Sequence, residues 1–282
     1  MKIAVTSANG KLGSSIIKNL IPLVGKENVV GIARTPKKAE RLGIEIRKGD
    51  YNSREEFNLA LKGIDKVVLL SGMDKPENRI QQHRNVIEAA VQNNVQKIVY
   101  TSIVGDETGN AFSPIVQSNR KTEEDVKKSG LKYVIGRNGV YIEPDLDYLD
   151  TYVKEGEIRN CANNGKCTYT SREELGAAYA KLVLDDQHNQ QTYNLVGSAI
   201  TQTELAQIIN QVFGTSLTFK AISFDAYLEE RKAALGDFLG TIIAGIYKGI
   251  QTGAYDISSD FEKIMGKPHA SVTEMMVAYK NK

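Results

Sequence analysis

The sequence predicts an α/β protein: a doubly wound, mostly parallel sheet of nucleotide-binding type, followed by a smaller, mainly helical domain. Three observations lead there. Short Val/Ile-rich runs alternate with runs of helical period through the first half. A glycine turn, TSANGKLG (6–13), follows the first apolar run directly. After Arg137 the alternation breaks, and from Thr201 onward helical periodicity dominates.

Taken in order, strands are expected at residues 3–7, 28–33, 44–47, 66–71, 97–102 and 131–136. Between the first two, Leu12, Ile16, Ile17, Leu20 and Val24 recur at helical spacing and mark one buried face. Ile80, Val86, Ile87, Ala90 and Val91 do the same for a later helix. Repeated β-α units force parallel strands, because a crossover helix joins them. Short apolar strands suit a sheet covered on both faces. Residues 140–165 are rich in Tyr, Asp, Asn and Gly and show little periodicity. Ser171 and Glu174 have capping-box spacing and open a helix over 175–184, and a strand at 192–196 returns to the sheet. Helices are expected at 203–212, 225–234, 235–250, 258–264 and 272–279, with a strand at 217–222. The expected division is a nucleotide domain over 1–139 plus about 166–197, and a cap over about 140–165 plus 198–282.

Composition excludes several function classes. The 36 Lys and Arg nearly cancel the 34 Asp and Glu, leaving +2, so there is no electrostatic case for nucleic acid or an anionic membrane. No apolar run approaches the roughly 18 residues of a membrane span. The N-terminus starts at once with a strand-like segment, which leads to a cytoplasmic expectation. Cys161 and Cys167 are expected to be free thiols. His83, His188 and His269 have no metal-like spacing, so no metal is expected, and His83 falls on a buried helix face as a packing residue.

The turn is the main functional signal. It sits where backbone N–H groups and the positive end of a helix converge on one point. Gly10 and Gly13 keep the spacing for close phosphate approach and close helix–strand packing. Ser7 stands where the first glycine is usual; a β-like φ is expected there, with the hydroxyl available to phosphate. Arg34 ends the second strand about twenty residues on, where an acid reads the ribose of NAD and arginine suits the 2′-phosphate of NADP. Lys37 and Lys38 follow it. Asp50 either lies near the adenine or caps the next helix.

One feature is missing. None of the 13 tyrosines has Lys four residues later, so the Tyr-x-x-x-Lys proton relay of short-chain dehydrogenases is lacking. QSNRK, Gln117 to Lys121, occupies the place where it would be expected. This disfavours alcohol oxidation and epimerisation and leaves hydride delivery to an acceptor that takes its proton from water.

TSANGKLG resembles the glycine turn of the NmrA-like atypical short-chain dehydrogenases. RKGDY (47–51), LLSG (69–72), QHRNVIEAA (82–90), IVYTS (98–102), TEEDVKKSGLKYVIGRNGVY (122–141), TYNLVG (192–197) and GAYDISSDFEKIMGKP are similar to its type 2 NAD(P)H:quinone oxidoreductase and triphenylmethane reductase branch. The resemblance implies a Rossmann-type sheet of about seven strands and an NADP(H) pocket. It carries cofactor contacts onto Thr6, Ser7, Ala8, Asn9, Gly10, Lys11 and Leu12, beside Gly13, and onto Arg34 and Ser71, Gly72 and Met73. Thr101 and Ser102 at the end of IVYTS join them, as does the nicotinamide segment Asn138, Gly139, Val140, Tyr141, Ile142 and Glu143. Two departures stand out: Ser7 for glycine, and NRKTEED without the histidine common before the Thr-Glu pair.

The expected function is NADPH-dependent reduction of a quinone or similar conjugated electrophile, dye-like acceptors included. The acceptor is expected between Met73, Ile103, the 138–141 segment and the cap, with Asn138 or Tyr141 bonding its oxygen. A small-molecule acceptor and a homodimer are the partners compatible with this reading. A non-catalytic NADP(H) redox sensor is the alternative, and a sugar-nucleotide epimerase, for which no base is found, is the weaker one.

Overall fold

A computed structural model describes residues 1–281. The first half builds the expected β-α repeats: β1 (Ile3–Val5), α1 (Lys11–Val24), β2 (Val29–Ala33), β3 (Glu45–Lys48), α2 (Arg54–Ala60), β4 (Lys66–Leu70), α3 (Pro76–Gln92), β5 (Lys97–Ile103), α4 (Ser113–Lys128) and β6 (Lys132–Asn138). A short 3₁₀ helix of seven residues, Pro36–Leu42, replaces a full crossover helix between β2 and β3.

The next segment, expected to be irregular, is ordered into β7 (Val140–Tyr141), α5 (Glu143–Asp147), α6 (Leu149–Glu155) and β8 (Glu157–Asn160). These elements are too short to leave a periodic signature. There follow β9 (Lys166–Thr170), α7 (Arg172–Leu184), β10 (Gln191–Leu195), β11 (Ala199–Thr201), α8 (Gln202–Phe213) and β12 (Thr218–Ala221). The chain ends with α9 (Phe224–Leu235), α10 (Asp237–Gln251), α11 (Phe261–Met265) and α12 (Val272–Lys280).

The central sheet has seven strands in the order β10-β6-β5-β4-β1-β2-β3, all parallel. β1 pairs with β2 on one side and β4 on the other, with Val5 opposite both Gly31 and Val68. Strand order reverses there, which opens a crevice at the carboxyl ends of β1 and β4. One face is filled by Ile16, Ile17 and Leu20 of α1 and Leu175, Tyr179 and Leu182 of α7. Phe57, Val86, Ile87 and Val126, from α2, α3 and α4, fill the other.

β9 leaves this sheet. It pairs parallel with β7 and antiparallel with β11, and a third apolar cluster joins these strands to α5, α8, α10 and α12. β12 and β8 form a further parallel pair. The C-terminal part is thus less purely helical than its periodicity suggests. Ser171 caps α7 by accepting from the Glu174 amide at 3.1 Å, but Glu174 does not reciprocate; its carboxylate accepts from the Ala270 amide at 3.3 Å. Reciprocal capping boxes occur instead at Thr201/Glu204 and Ser271/Glu274. Among the described residues no helix is long and apolar enough to cross a membrane. Cys161 and Cys167 are buried free thiols, and burial pushes the Cys161 thiol up to about 11.

Candidate NAD(P)H site

The turn runs from the end of β1 into α1 at the crevice. Gly10 is the N-cap, without a side-chain cap, and the first turn of α1 holds no acid, so α1 itself leaves that helix end uncompensated. A Cβ on Gly13 would lie 2.5 Å from the Ser7 carbonyl oxygen and 3.3 Å from Ala8 Cα, so only glycine lets the helix seat against the turn. A Cβ on Gly10 would meet only the Ser7 oxygen, at 3.1 Å. Gly10 therefore keeps open space in front of it. The two glycines do different work, and together they fit a diphosphate.

Ser7 corrects the expectation of an extended backbone: its φ is +50°, in the left-handed region. The turn closes there through the Gly10 amide, which donates to the Ser7 carbonyl at 2.9 Å. The Ser7 hydroxyl is 3.2 Å from the Tyr51 phenol rather than free. Tyr51 is a central support that sequence reading missed. It bonds Thr6 Oγ1 at 2.6 Å and donates to the Leu70 carbonyl at 2.7 Å, while the Leu70 amide donates to Thr6 Oγ1 at 2.9 Å. The glycine turn is thereby fixed to the end of β4. Burial pushes the Tyr51 phenol up to about 12, so it remains a neutral hydrogen-bonding group.

Arg34 is exposed at the end of β2, with no hydrogen-bond or ion-pair partner among the described residues. Lys37 and Lys38 are exposed beyond it. Arg41 comes closer to the turn, its Nη2 lying 3.4 Å from the Asn9 carbonyl and 3.3 Å from Ser14 Oγ. No sequence signal separates it from the other cations of that segment; the fold alone brings it back. Asp50 neither caps α2, a role taken by Ser53, nor stands free. Its Oδ1 accepts from the Asn52 amide at 2.9 Å. Lys11 reaches across to the cap, pairing with Asp147 at 2.9 Å, while Ala8 and Leu12 are buried behind the turn.

At the other end of the crevice the Ser71 amide donates to Thr101 Oγ1 at 3.0 Å, joining the ends of β4 and β5. Gly72 is buried, whereas Met73 is 86% exposed. Ser102 donates to Glu123 Oε1 at 2.6 Å. Glu123 is buried and gripped at both oxygens by Arg137, at 2.9 and 2.7 Å, and by Arg120 at 2.8 Å. Burial works to raise this carboxyl, but the bonds from Arg137 and Ser102 and the charge of Arg120 outweigh it and hold it below its usual value. α4 thus presents a fixed charge cluster, Arg120 and Glu123, to the ends of β5 and β6. Gln117 and Lys121 point elsewhere, to the Glu107 carbonyl and Glu124.

Asn138 is 3% exposed and committed at both ends of its amide: Oδ1 accepts from the Tyr179 phenol at 2.6 Å, and Nδ2 donates to the Tyr141 phenol oxygen at 3.1 Å. It is not placed to face an acceptor, contrary to expectation. Tyr141 is half-buried, with the Arg172 guanidinium 5.1 Å from its ring centre. Burial raises this phenol, against the Asn138 bond and the Arg172 charge. Its own O–H proton has no acceptor among the described residues. Val140 and Tyr141 form the strand beside β9, flanked by Gly139 and Ile142, with Ile142 N–H donating to the Thr170 carbonyl at 3.0 Å; Glu143 accepts from the Arg172 amide at 2.7 Å.

A parallel sheet with a glycine turn at its switch point, and polar groups gathered along its carboxyl edge, defines an α/β protein of the dinucleotide-binding class. The chain belongs to the NAD(P)H-binding family, whose model matches residues 7–186, and to its NmrA-like branch. It is 32% identical to Quinone oxidoreductase 2 of Escherichia coli (strain K12), over 96% of both chains. Citrobacter sp. triphenylmethane reductase, solved in complex with NADP(H), superimposes with a TM-score of 0.91 at 30% identity, covering 99% of each chain. The NADPH-dependent quinone oxidoreductase of Escherichia coli complexed with NADPH gives 0.90 at 30% identity, covering 99% of this chain and 100% of that one. The protein is an NAD(P)H-dependent oxidoreductase.

Proposed function

We propose that this oxidoreductase reduces a quinone or similar conjugated electrophile, dye-like acceptors included, with NADPH as donor. The observation that carries the reading is Tyr141. Asn138 holds its oxygen, itself fixed by Tyr179, and leaves the phenolic proton free beside the crevice. That arrangement suits an acceptor whose oxygen needs one positioned hydrogen bond, not a base that abstracts a proton. Conjugated acceptors of the kind named for the two relatives meet this need.

In this reading Thr6 to Gly13 hold the diphosphate, with Gly10 giving the open approach. Arg34, assisted by Lys37 and Lys38, takes the 2′-phosphate as a bidentate fork. Ser71, Gly72, Thr101, Ser102 and the 138–143 segment hold the nicotinamide half. The bound cofactor supplies the hydride. The protein's share is orientation: a rigid crevice edge and a phenol aimed at the acceptor. Steady-state NADPH oxidation with a panel of quinones tests this. Turnover well above the enzyme-free rate is expected; its absence in protein shown to bind NADPH overturns the reading.

A further inference from the structure

Arg79, in the first turn of α3, is 3% exposed, yet it has no counter-ion. Its Nη2 donates to Ser71 Oγ, its Nε has no partner, and among the described residues no carboxylate pairs with it. Burial lowers its proton affinity, with only the Tyr100 phenol working against that. The other deeply placed cations are compensated. Arg120 and Arg137 share Glu123, while Lys66 and Lys97 share Asp186 and the carbonyls of Leu184 and Asp185. A buried charge is tolerated when it is paired. Of the three buried cations, Lys66, Arg79 and Lys97, Arg79 alone lacks a carboxylate among the described residues.

The acceptors around it are spent. Asn119 Oδ1 takes the Ser71 hydroxyl at 2.9 Å and the Tyr100 phenol at 2.6 Å, and His83 Nε2 takes the Gly72 amide. Half-buried Ser71, to which Arg79 is bonded, follows directly on the last residue of β4 and so stands at the carboxyl edge of the sheet. We propose that Arg79, positioned by its bond to Ser71, supplies an anion subsite of the acceptor cleft, taking an ionised oxygen on the acceptor, as in a hydroxyquinone. This rests on the quinone-reductase reading above. The cofactor diphosphate is the competing anion, but it has the uncapped end of α1. Ser71 is tied the other way, to Thr101 on β5 and Asn119 on α4, the side away from β2.

The test is binding to NADP+-saturated protein of 2-hydroxy-1,4-naphthoquinone, which is ionised at neutral pH, and of uncharged 1,4-naphthoquinone. Arg79→Gln is expected to weaken the hydroxyquinone about 10- to 100-fold, the worth of a charge-assisted hydrogen bond. The neutral quinone is expected to change by less than about threefold, and Arg79→Lys to retain most of the affinity. Circular dichroism establishes that each variant is folded, and NADPH titration reads cofactor affinity separately. Equal losses for the two quinones overturn the subsite. An equal loss of NADPH affinity also overturns it, by assigning the anion to the cofactor. NADPH oxidation by the parent with the neutral quinone checks the underlying reading separately: turnover there with no effect of Arg79→Gln on hydroxyquinone binding sinks the subsite alone, and a parent that neither binds nor reduces either quinone sinks both.

Discussion

The Gly72 amide donates to Nε2 of His83 across 2.9 Å, tying the loop after β4 to the middle of α3. The ring's other nitrogen lies 2.8 Å from Thr122 Oγ1, whose own proton goes to the Ser118 carbonyl, so Nδ1 carries the hydrogen. This imidazole works only when neutral, since a proton on Nε2 would remove the acceptor for Gly72.

That requirement sets a pH dependence. Burial first, and the Arg79 charge second, lower the His83 pKa from 6.5 to about 3. Below pH 6.5 the unfolded chain takes up a proton that the folded chain refuses until about pH 3, so stability falls with pH across that window. The slope from this residue is about 1.4 kcal/mol per pH unit. His83→Gln keeps an acceptor and does not titrate. Between pH 7 and 5 the parent is expected to lose up to about 2 kcal/mol more than the variant in urea unfolding. Parallel losses would show that His83 is not the group responsible.

The turn glycines are expected to fail in different ways. Gly13→Ala places its Cβ against main-chain atoms of Ser7 and Ala8, which cannot swing aside, and should destabilise the fold by about 1–3 kcal/mol. Gly10→Val meets a single oxygen at 3.1 Å and should stay folded, yet lose NADPH binding because its side chain fills the diphosphate space. Denaturation curves and NADPH fluorescence titrations of both variants separate the two effects. Native-like NADPH affinity in Gly10→Val would reduce the turn to a structural element.

Arg34 is expected to set cofactor choice. Because it has no partner to lose, Arg34→Asp costs the fold little and replaces a charge-assisted contact with repulsion. NADPH affinity should fall about 100-fold or more, while NADH, which lacks the 2′-phosphate, changes far less. Titrating both cofactors into parent and variant decides it. A parallel fall for both, or no fall for NADPH, would pass the reader's role to Arg41.

The nucleotide half of the fold was open to reading because its strands are apolar runs long enough to show a pattern, and its helices bury one face each. The 140–160 region was not, since β7 and β8 contribute two and four residues among polar neighbours. Ser171-Arg-Glu-Glu174 shows a different limit: the spacing permits a capping box, but Ala270, far along the chain, takes the glutamate. Ser7 could be located but not given its φ, because a serine in the left-handed region is specified by the closing bond to Gly10 and by Tyr51, not by its own preference. Arg79, Glu123 and Tyr51 have no local signature. Their meaning comes from adjacent strands ending at one edge, which only topology supplies.

Tyr141 gives the most direct test of the chemistry. Its oxygen accepts from Asn138 at 3.1 Å, its ring lies against Arg172, and its proton is unclaimed. Tyr141→Phe keeps the ring, its contact with the guanidinium and the β7–β9 pairing, and removes only the hydroxyl. If the phenol bonds the acceptor oxygen as charge develops there, kcat with a quinone should fall about 10- to 100-fold, the lower end of what a positioned proton donor contributes. NADPH affinity should move by less than about threefold, within the worth of one neutral hydrogen bond. Tyr179→Phe removes the bond that holds Asn138 and acts one step further back, so it should lower kcat less while leaving the phenol in place. A Tyr141→Phe enzyme with parental kcat would show that the acceptor takes its proton from water alone, and that Asn138 and Tyr141 only shape the crevice.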